Sequence, residues 1–314
     1  MSRTATIPNR LGASSLGYLL DRVLGELPDS FHPLRAFGST MALLERIIYR
    51  DDRRHGVHYA IIGTSLGAAS GSVLSSTAVA TYFSCGGRAL RDAATVVQRA
   101  LDNGDLDRAR TATSRIVGRE TQNLDEGELA RAVVETVAEN TIDAVVAPLL
   151  WGAIGGPRGA LAYRAVNTMD AMVGYRSPRY HNFGWASARL DDVANYVPAR
   201  LGVLGVMVVR PRLAPEIWRT VRRDASSHPS PNAGVIESAF AGALGISLGG
   251  DNTYEGIAET RARLGDGRPP ESADITRAVR LSRATGDAVA LALSVGAVAL
   301  IANQHRRHAR RSAP

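Results

Sequence analysis

The sequence predicts an all-α fold: a multi-pass helical membrane protein with cytoplasmic helical segments and a long polar loop. Three observations lead there. Helical periodicity recurs along the chain, and no stretch shows sustained strand alternation flanked by hairpin turns. Val57 to Gly87 holds no Asp, Glu, Lys or Arg across 31 residues. That is long enough for one tilted span, or for a short helical pair turning near Gly71-Ser72. Ala288 to Ala302 is a purer apolar run, followed at once by His305, Arg306, Arg307, His308, Arg310 and Arg311, a basic stop expected to stay cytoplasmic. The mean hydropathy of −0.07 is low for a multi-pass chain, so a soluble all-helical protein with buried helices is the competing class.

The elements follow in order. Arg10 and the apolar Leu11 to Leu20 faintly copy a secretion signal, but Asp21-Arg22 interrupts the run and no small-x-small cleavage site is evident, so the segment is expected to be retained. Arg88 to Leu101 has amphipathic spacing and stops at Asn103-Gly104. Asp105 caps a second helix reaching Val117, closed by Gly118, and Asp125 begins a third. Residues 88–134 thus read as a cytoplasmic helical insertion within a single domain over 1–314. Segments 141–163 and 193–209 are apolar but carry charge, at Asp143 and Arg158 in one and Arg200 in the other. Arg210 to Pro215 breaks the chain. The basic amphipathic helix after it, through Trp218, Arg222 and Arg223, either lies on an anionic membrane face or meets acidic substrates. Residues 251–272, rich in Gly, Pro and charge, form the expected long loop before a helix from Ser272.

A net charge of +7 invites a nucleic-acid reading. The basic residues flank apolar segments, however, and aromatics are only 5% of the chain, too few for a base-stacking platform. No nucleic-acid partner is expected, and a lipid bilayer is. Lone Cys85 excludes an intramolecular disulfide. No Gly-x-x-x-x-Gly-Lys-[Ser/Thr] occurs, so any ATP site is not a P-loop, and no Cys/His set has zinc spacing.

Acids and amides keep returning inside apolar helix-like sequence between 135 and 200. Glu135, Glu139 and Asp143 fall at i, i+4 spacing, Asn167 and Asp170 at i+3, and Asp191 and Asn195 at i+4. Glu135, at the start of its stripe, reads as solvated. Burying so many polar groups is costly unless each finds a partner, a cation or water. Two readings remain: a polar site between helices, or interhelical bonding and ion pairs with Arg164, Arg189 and Arg200.

These stretches also carry a resemblance. Val137 to Ala144 (Val-Ala-Glu-Asn-Thr-Ile-Asp-Ala), Tyr163 to Asp170, Gly174 to Tyr180, Phe183 to Asn195, His228 to Gly234 and Leu264 to Pro269 resemble the CobD/CbiB family of cobalamin biosynthesis, the adenosylcobinamide-phosphate synthases. His32-Pro33, Leu44-Glu45-Arg46 and Tyr49-Arg50-Asp51 match as well, so the likeness runs from Leu16 to Arg283. Gly25-Glu26-Leu27-Pro28 stands where the family often has Gly-Asp-Pro.

The resemblance implies an integral protein of the cell membrane, its C-terminus cytoplasmic. It implies a ligase joining adenosylcobyric acid to (R)-1-amino-2-propanol O-2-phosphate, or ethanolamine phosphate, through an amide bond at the expense of ATP. Contact with other membrane enzymes of the pathway belongs to the same implication. A relative without catalysis, of the AmpE type, is the alternative, with no need of this polar set. The reaction requires an activated carboxylate with Mg²⁺ across the ATP phosphates, an amine that sheds a proton, and two anions held together. Glu139, Asp143, Asp170 and Asp192 are the catalytic candidates, with Asp170, Asp191 and Asp192 as metal ligands. Asn140, Asn167 and Asn195 are their neutral partners, and Arg189 a substrate contact. Arg176, Arg179 and Tyr180, around the Ser177-Pro178 turn, either clamp phosphate or anchor a helix end. His228 is the candidate proton acceptor. The His228 to Gly234 turn, with Asn232, can offer helix-start N–H groups to an anion. Asp266 and Arg268 complete the substrate set on the strength of the resemblance alone.

Overall fold

The computed structural model describes residues 6–26, 33–118, 120–175, 177–254 and 257–311, with side chains described except at 251–254, 257–260 and 308–311. Arg176 and His32 therefore lie outside the described residues. In chain order the helices are α1 (Ile7–Leu24), α2 (Pro33–Ile48), α3 (Arg53–Leu74), α4 (Thr77–Ser84), α5 (Gly87–Asp102), α6 (Leu106–Thr113) and α7 (Glu126–Thr141). A π-helical segment, Ile142–Val146, leads into α8 (Ala147–Val173). Then come α9 (Trp185–Val209), α10 (Ala214–Asp224), α11 (Ala233–Leu244), the strands β1 (Leu248–Tyr254) and β2 (Ile257–Leu264), and α12 (Ser272–Arg311).

Local chemistry sets many of these boundaries. Asp52 caps α3 by accepting from His55 N at 2.9 Å. At the head of α7 Asp125 and Glu128 form a reciprocal capping box, with bonds of 2.8 and 2.9 Å. The uncharged 57–87 run is a helical pair, but its turn lies at Ser75, whose φ of 60° ends α3, and not at Gly71-Ser72. Gly71 stays helical because its bare backbone abuts α8: a Cβ there would lie 2.4 Å from Pro157 O. Gly67 and Gly63 continue the stripe: a Cβ on Gly67 would lie 2.6 Å from Leu161 O, and one on Gly63 2.2 Å from Met169 Sδ. Small residues at four-residue spacing let membrane helices approach this closely. α6 ends short of Val117, where Thr121 Oγ1 donates to Arg110 O and Arg110 Nε to Leu124 O, drawing the chain back across the helix.

The expected loop over 251–272 needs correction, because 248–264 is largely an antiparallel hairpin. A register shift between Leu248 and Gly250, with φ of 78° at Gly249 and 92° at Gly250, breaks the alternation by which a strand is recognised.

The described chain clusters into two compact units. The first comprises Met1–Gly86, Ala147–Ala194 and Val289–Pro314; the second comprises Gly87–Val146 and Asn195–Ala288. The 88–134 helices thus belong to a unit that also includes 195–288. In the first, Met41, Tyr59, Val166, Met169, Val173 and Phe183 form a fully buried cluster beneath the α8–α9 turn.

Among the described residues, four helical stretches are long and apolar enough to cross a membrane: Arg53–Leu74, Glu126–Val173, Trp185–Val209 and Ser272–Arg307. The second is not one rod, for Gly156 at φ 63°, ψ −149° breaks it just before Pro157. α12 exposes Leu291, Val295, Val298 and Ile301, and α3 exposes Ile61, Leu66 and Val73. Outward apolar faces of this extent suit lipid and not water. The fold is that of a multi-pass helical membrane protein.

Candidate functional site

In the first unit, the turn between α8 and α9 is tied to the end of α2 and the start of α3. Glu45 Oε1 accepts from Arg179 Nη2 at 3.0 Å and from Tyr180 OH at 2.9 Å. The Arg179 guanidinium lies 4.2 Å over the Tyr49 ring, and Tyr49 OH donates to Arg179 O at 2.9 Å. The bonds to Glu45, then Tyr180, push the pKa of Arg179 further above its ordinary range. Asn182 Nδ2 reaches Asp51 Oδ1 at 3.0 Å, and Arg53 stacks 5.1 Å over Trp185. Asp52 also takes His55 Nδ1 at 2.7 Å; the His55 backbone and ring bonds together hold its carboxyl below the usual range.

Beside this turn lies the acid and amide pattern. Asn167 Nδ2 donates to Asp191 Oδ1 at 3.4 Å, and Arg164 Nη1 donates to Asn167 Oδ1 at 3.2 Å. Arg189 pairs with Asp192 at 3.5 Å. Asp170 closes α8, where Gly174 makes room for it: a Cβ at 174 would lie 1.9 Å from Asp170 Oδ1. Asn167 and Asp191 therefore meet, and Arg164 and Arg189 are paired with members of the set.

The second unit holds the rest. Glu135, expected in solvent, is buried, because its Oε1 accepts from Gly249 N at 2.8 Å at the hairpin bulge. Arg131 Nη1 holds Gly249 O from the same helix face. Glu139 is exposed, Asn140 donates to Thr136 O at 3.0 Å, and the π segment begins immediately after Thr141. A wider turn shifts the residues after it around the axis, so Asp143 leaves the α-helical register with Glu139; π turns recur at functional sites. Asn195 is buried in α9.

His228 is occupied by its own turn. Its Nδ1 accepts from Ser230 N at 3.1 Å, its Nε2 lies 3.8 Å from Glu237 Oε1, and its side chain is 4% exposed. Gly234 packs directly on it. The first N–H groups of α11 are not open to an anion either, since Ser230 Oγ accepts from Asn232 N at 3.3 Å and Ala233 N at 3.1 Å. Asn232 Oδ1 instead receives Arg200 Nη1 at 2.9 Å. Asp266 pairs with Arg223, and Arg268 forks onto Asp274 at 2.7 and 3.2 Å. These contacts knit the 264–274 segment to its surroundings.

Sequence reasoning missed the partners Glu45, Asp51, Asp224 and Asp274. A signal existed for the first two, in Leu44-Glu45-Arg46 and Tyr49-Arg50-Asp51, but nothing tied them to 179–182. Among the described residues, no group of three or more His, Cys, Asp or Glu gathers to hold a metal ion by itself.

A model of the CobD/Cbib protein family matches residues 14–282, most of the chain. The chain belongs to the CobD/CbiB family. It is 45% identical over 284 residues to the cobalamin biosynthesis protein CobD of Mycobacterium tuberculosis, covering 85% of this chain and 90% of that protein. Against CobD of Pelobacter propionicus the identity is 41%, covering 93% and 96%. Against the cobalamin biosynthesis protein CbiB of Salmonella typhimurium it is 39%, covering 90% and 95%. No solved structure matches this CobD/CbiB chain. Its place is in cobalamin biosynthesis.

Proposed function

We propose that this CobD/CbiB protein is the amide ligase that joins adenosylcobyric acid to an amino-alcohol phosphate, (R)-1-amino-2-propanol O-2-phosphate or ethanolamine phosphate, using ATP. The observation that carries the reading is the meeting of Asn167 and Asp191, at 3.4 Å, beside a turn that presents Arg179. Carboxylates and an arginine are needed side by side when a metal–nucleotide and a second anion must share one site.

Asn167 orients Asp191 by donating to one of its oxygens. Asp191, Asp192 and Asp170 are the residues that would hold Mg²⁺. When bound, the ion would offset charge on the ATP phosphates while the carboxylate is activated. Arg179 keeps N–H groups beyond the one given to Glu45, and these can meet a substrate phosphate. His228 is held in its turn, so we assign it to the shape of the 228–234 segment and not to proton transfer. The Arg-rich tail at 305–311 and the 210–223 segment border apolar runs, which supports a cytoplasmic placement of both in the cell membrane.

The reading is tested in cells lacking the gene and supplied with adenosylcobyric acid. They should make no cobalamin, and added adenosylcobinamide phosphate should restore it. Cobalamin formation from adenosylcobyric acid alone would contradict the proposal.

A further inference from the structure

Glu45 is the buried end of an otherwise exposed polar group. Its side chain is 12% exposed, whereas that of Arg179, 134 residues away in sequence, is 53% exposed. A carboxylate withdrawn from water needs charged or hydrogen-bonding partners. Both of its described donors, Arg179 Nη2 and Tyr180 OH, come from the α8–α9 turn. That turn is not a regular element: it is closed by Tyr180 N and His181 N on Ser177 O, at 3.1 and 2.9 Å, and by Gly184 N on Tyr180 O at 2.8 Å. A long arginine in such a turn has many rotamers, and only a fixed guanidinium can present its free edge in one direction. Glu45 grips one edge at the buried side while the Tyr49 ring supports the face. More than half of the Arg179 side chain stays exposed to solvent.

We infer that Glu45 is a positioning residue for the ligation: it fixes Arg179 and Tyr180 so that the open edge of the guanidinium receives the phosphate of the amino-alcohol substrate. The inference rests on the ligase reading. It assigns Glu45 no contact with substrate, so its removal should act through Arg179 and chiefly on substrate capture.

The test combines kinetics with hydrogen exchange on purified full-length protein, using Glu45→Gln, Arg179→Lys and the double variant. Glu45→Gln should raise KM for aminopropanol phosphate about tenfold, the scale of one charge-assisted bond. Its kcat should move less than about threefold, as for an interaction lost equally from ground and transition states. Unphosphorylated aminopropanol should be little affected. The double variant should be no worse than Arg179→Lys alone, because both act on one contact. Amides of 177–184 should exchange faster in Glu45→Gln at unchanged protein yield. Additive losses, or a fall in kcat at constant KM, would overturn the inference. So would unchanged exchange in an active enzyme. A wild-type protein with no ligase activity, yet with exchange in 177–184 that still responds to Glu45→Gln, would remove the ligase reading and leave Glu45 as a structural tether only. If Glu45→Gln does not accumulate, Glu45→Asp, which keeps the charge, takes its place with the same expected split.

Discussion

Asn167 and Asp191 face each other across two helices, amide nitrogen to carboxylate oxygen at 3.4 Å, and the Asn167 carbonyl is itself held by Arg164 at 3.2 Å. Donors run in one direction, from Arg164 to Asn167 to Asp191, and an amide, unlike a carboxylate, can accept from one and donate to the other. Asn167→Asp would set two carboxylates against each other, turning an attraction into repulsion. Turnover in amide formation should fall by roughly tenfold or more, with a smaller fall for Asn167→Ala, which removes the bond without adding charge. Steady-state kinetics of the two variants at equal membrane content checks the order; a milder effect of Asp than of Ala would show that the amide does not orient Asp191.

Asp170→Asn and Asp192→Asn should reduce activity by orders of magnitude, about 100-fold or more, if these acids carry part of the metal–phosphate charge. Protein level and detergent-stable yield should be unchanged. Near-normal turnover in both would make the two acids structural.

The reciprocal cap of α7 predicts an effect on stability alone. Asp125→Ala should cost about 1 kcal/mol and lower the unfolding temperature in detergent by a few degrees. Activity below that transition should match wild type.

The glycine stripe of α3 predicts a steric effect. Gly67→Val places carbon where a Cβ would already stand 2.6 Å from Leu161 O, so α3 must move off α8. Overpacking of this kind costs about 1–3 kcal/mol. Less monodisperse protein should be recovered after extraction, whereas Gly12→Ala, with nothing within 4 Å of the added carbon, should be recovered as wild type.

Asp224 supplies a pH dependence with a definite sign. Arg223 bonds both its oxygens, at 2.6 and 2.8 Å, and Gly265 N adds a third bond at 2.8 Å. The Arg223 bonds, ahead of the Gly265 amide and against the effect of burial, hold the carboxyl below its ordinary 3.8. The folded state therefore binds that proton less readily than the unfolded one. Its stabilisation is complete above the unfolded pKa of 3.8 and is lost as pH falls through the lower folded value. The difference in unfolding temperature between wild type and Asp224→Asn should be constant at neutral pH and shrink on acidification below about pH 4. A difference that grows in acid would refute the assignment.

Much of this was legible in the chain. Caps at Asp105 and Asp125, the apolar runs of α3 and α12, and the start at Ser272 are local signals, carried within a turn of helix. What was not legible depended on distance or on an extra residue. Glu45 finds Arg179 only through the fold, 134 residues on. The bulge at Gly249 hid the hairpin, and the π segment after Thr141 undid the i, i+4 stripe that joined Glu139 to Asp143. Glu135 looked solvated because its partner is a backbone amide of that same bulge. The glycines at 63, 67 and 71 carry no local sign of their partner, because the atom nearest to a Cβ at each belongs to α8, far on in sequence.

Amide ligation can be followed in a single reaction. Purified, detergent-solubilised protein is mixed with adenosylcobyric acid, aminopropanol phosphate, ATP and Mg²⁺, and the corrinoid is followed by mass spectrometry. Adenosylcobinamide phosphate should form, with loss of ATP, and formation should stop when ATP, Mg²⁺ or the amine is omitted. Recovery of unchanged adenosylcobyric acid from folded protein with every component present would contradict amide ligation.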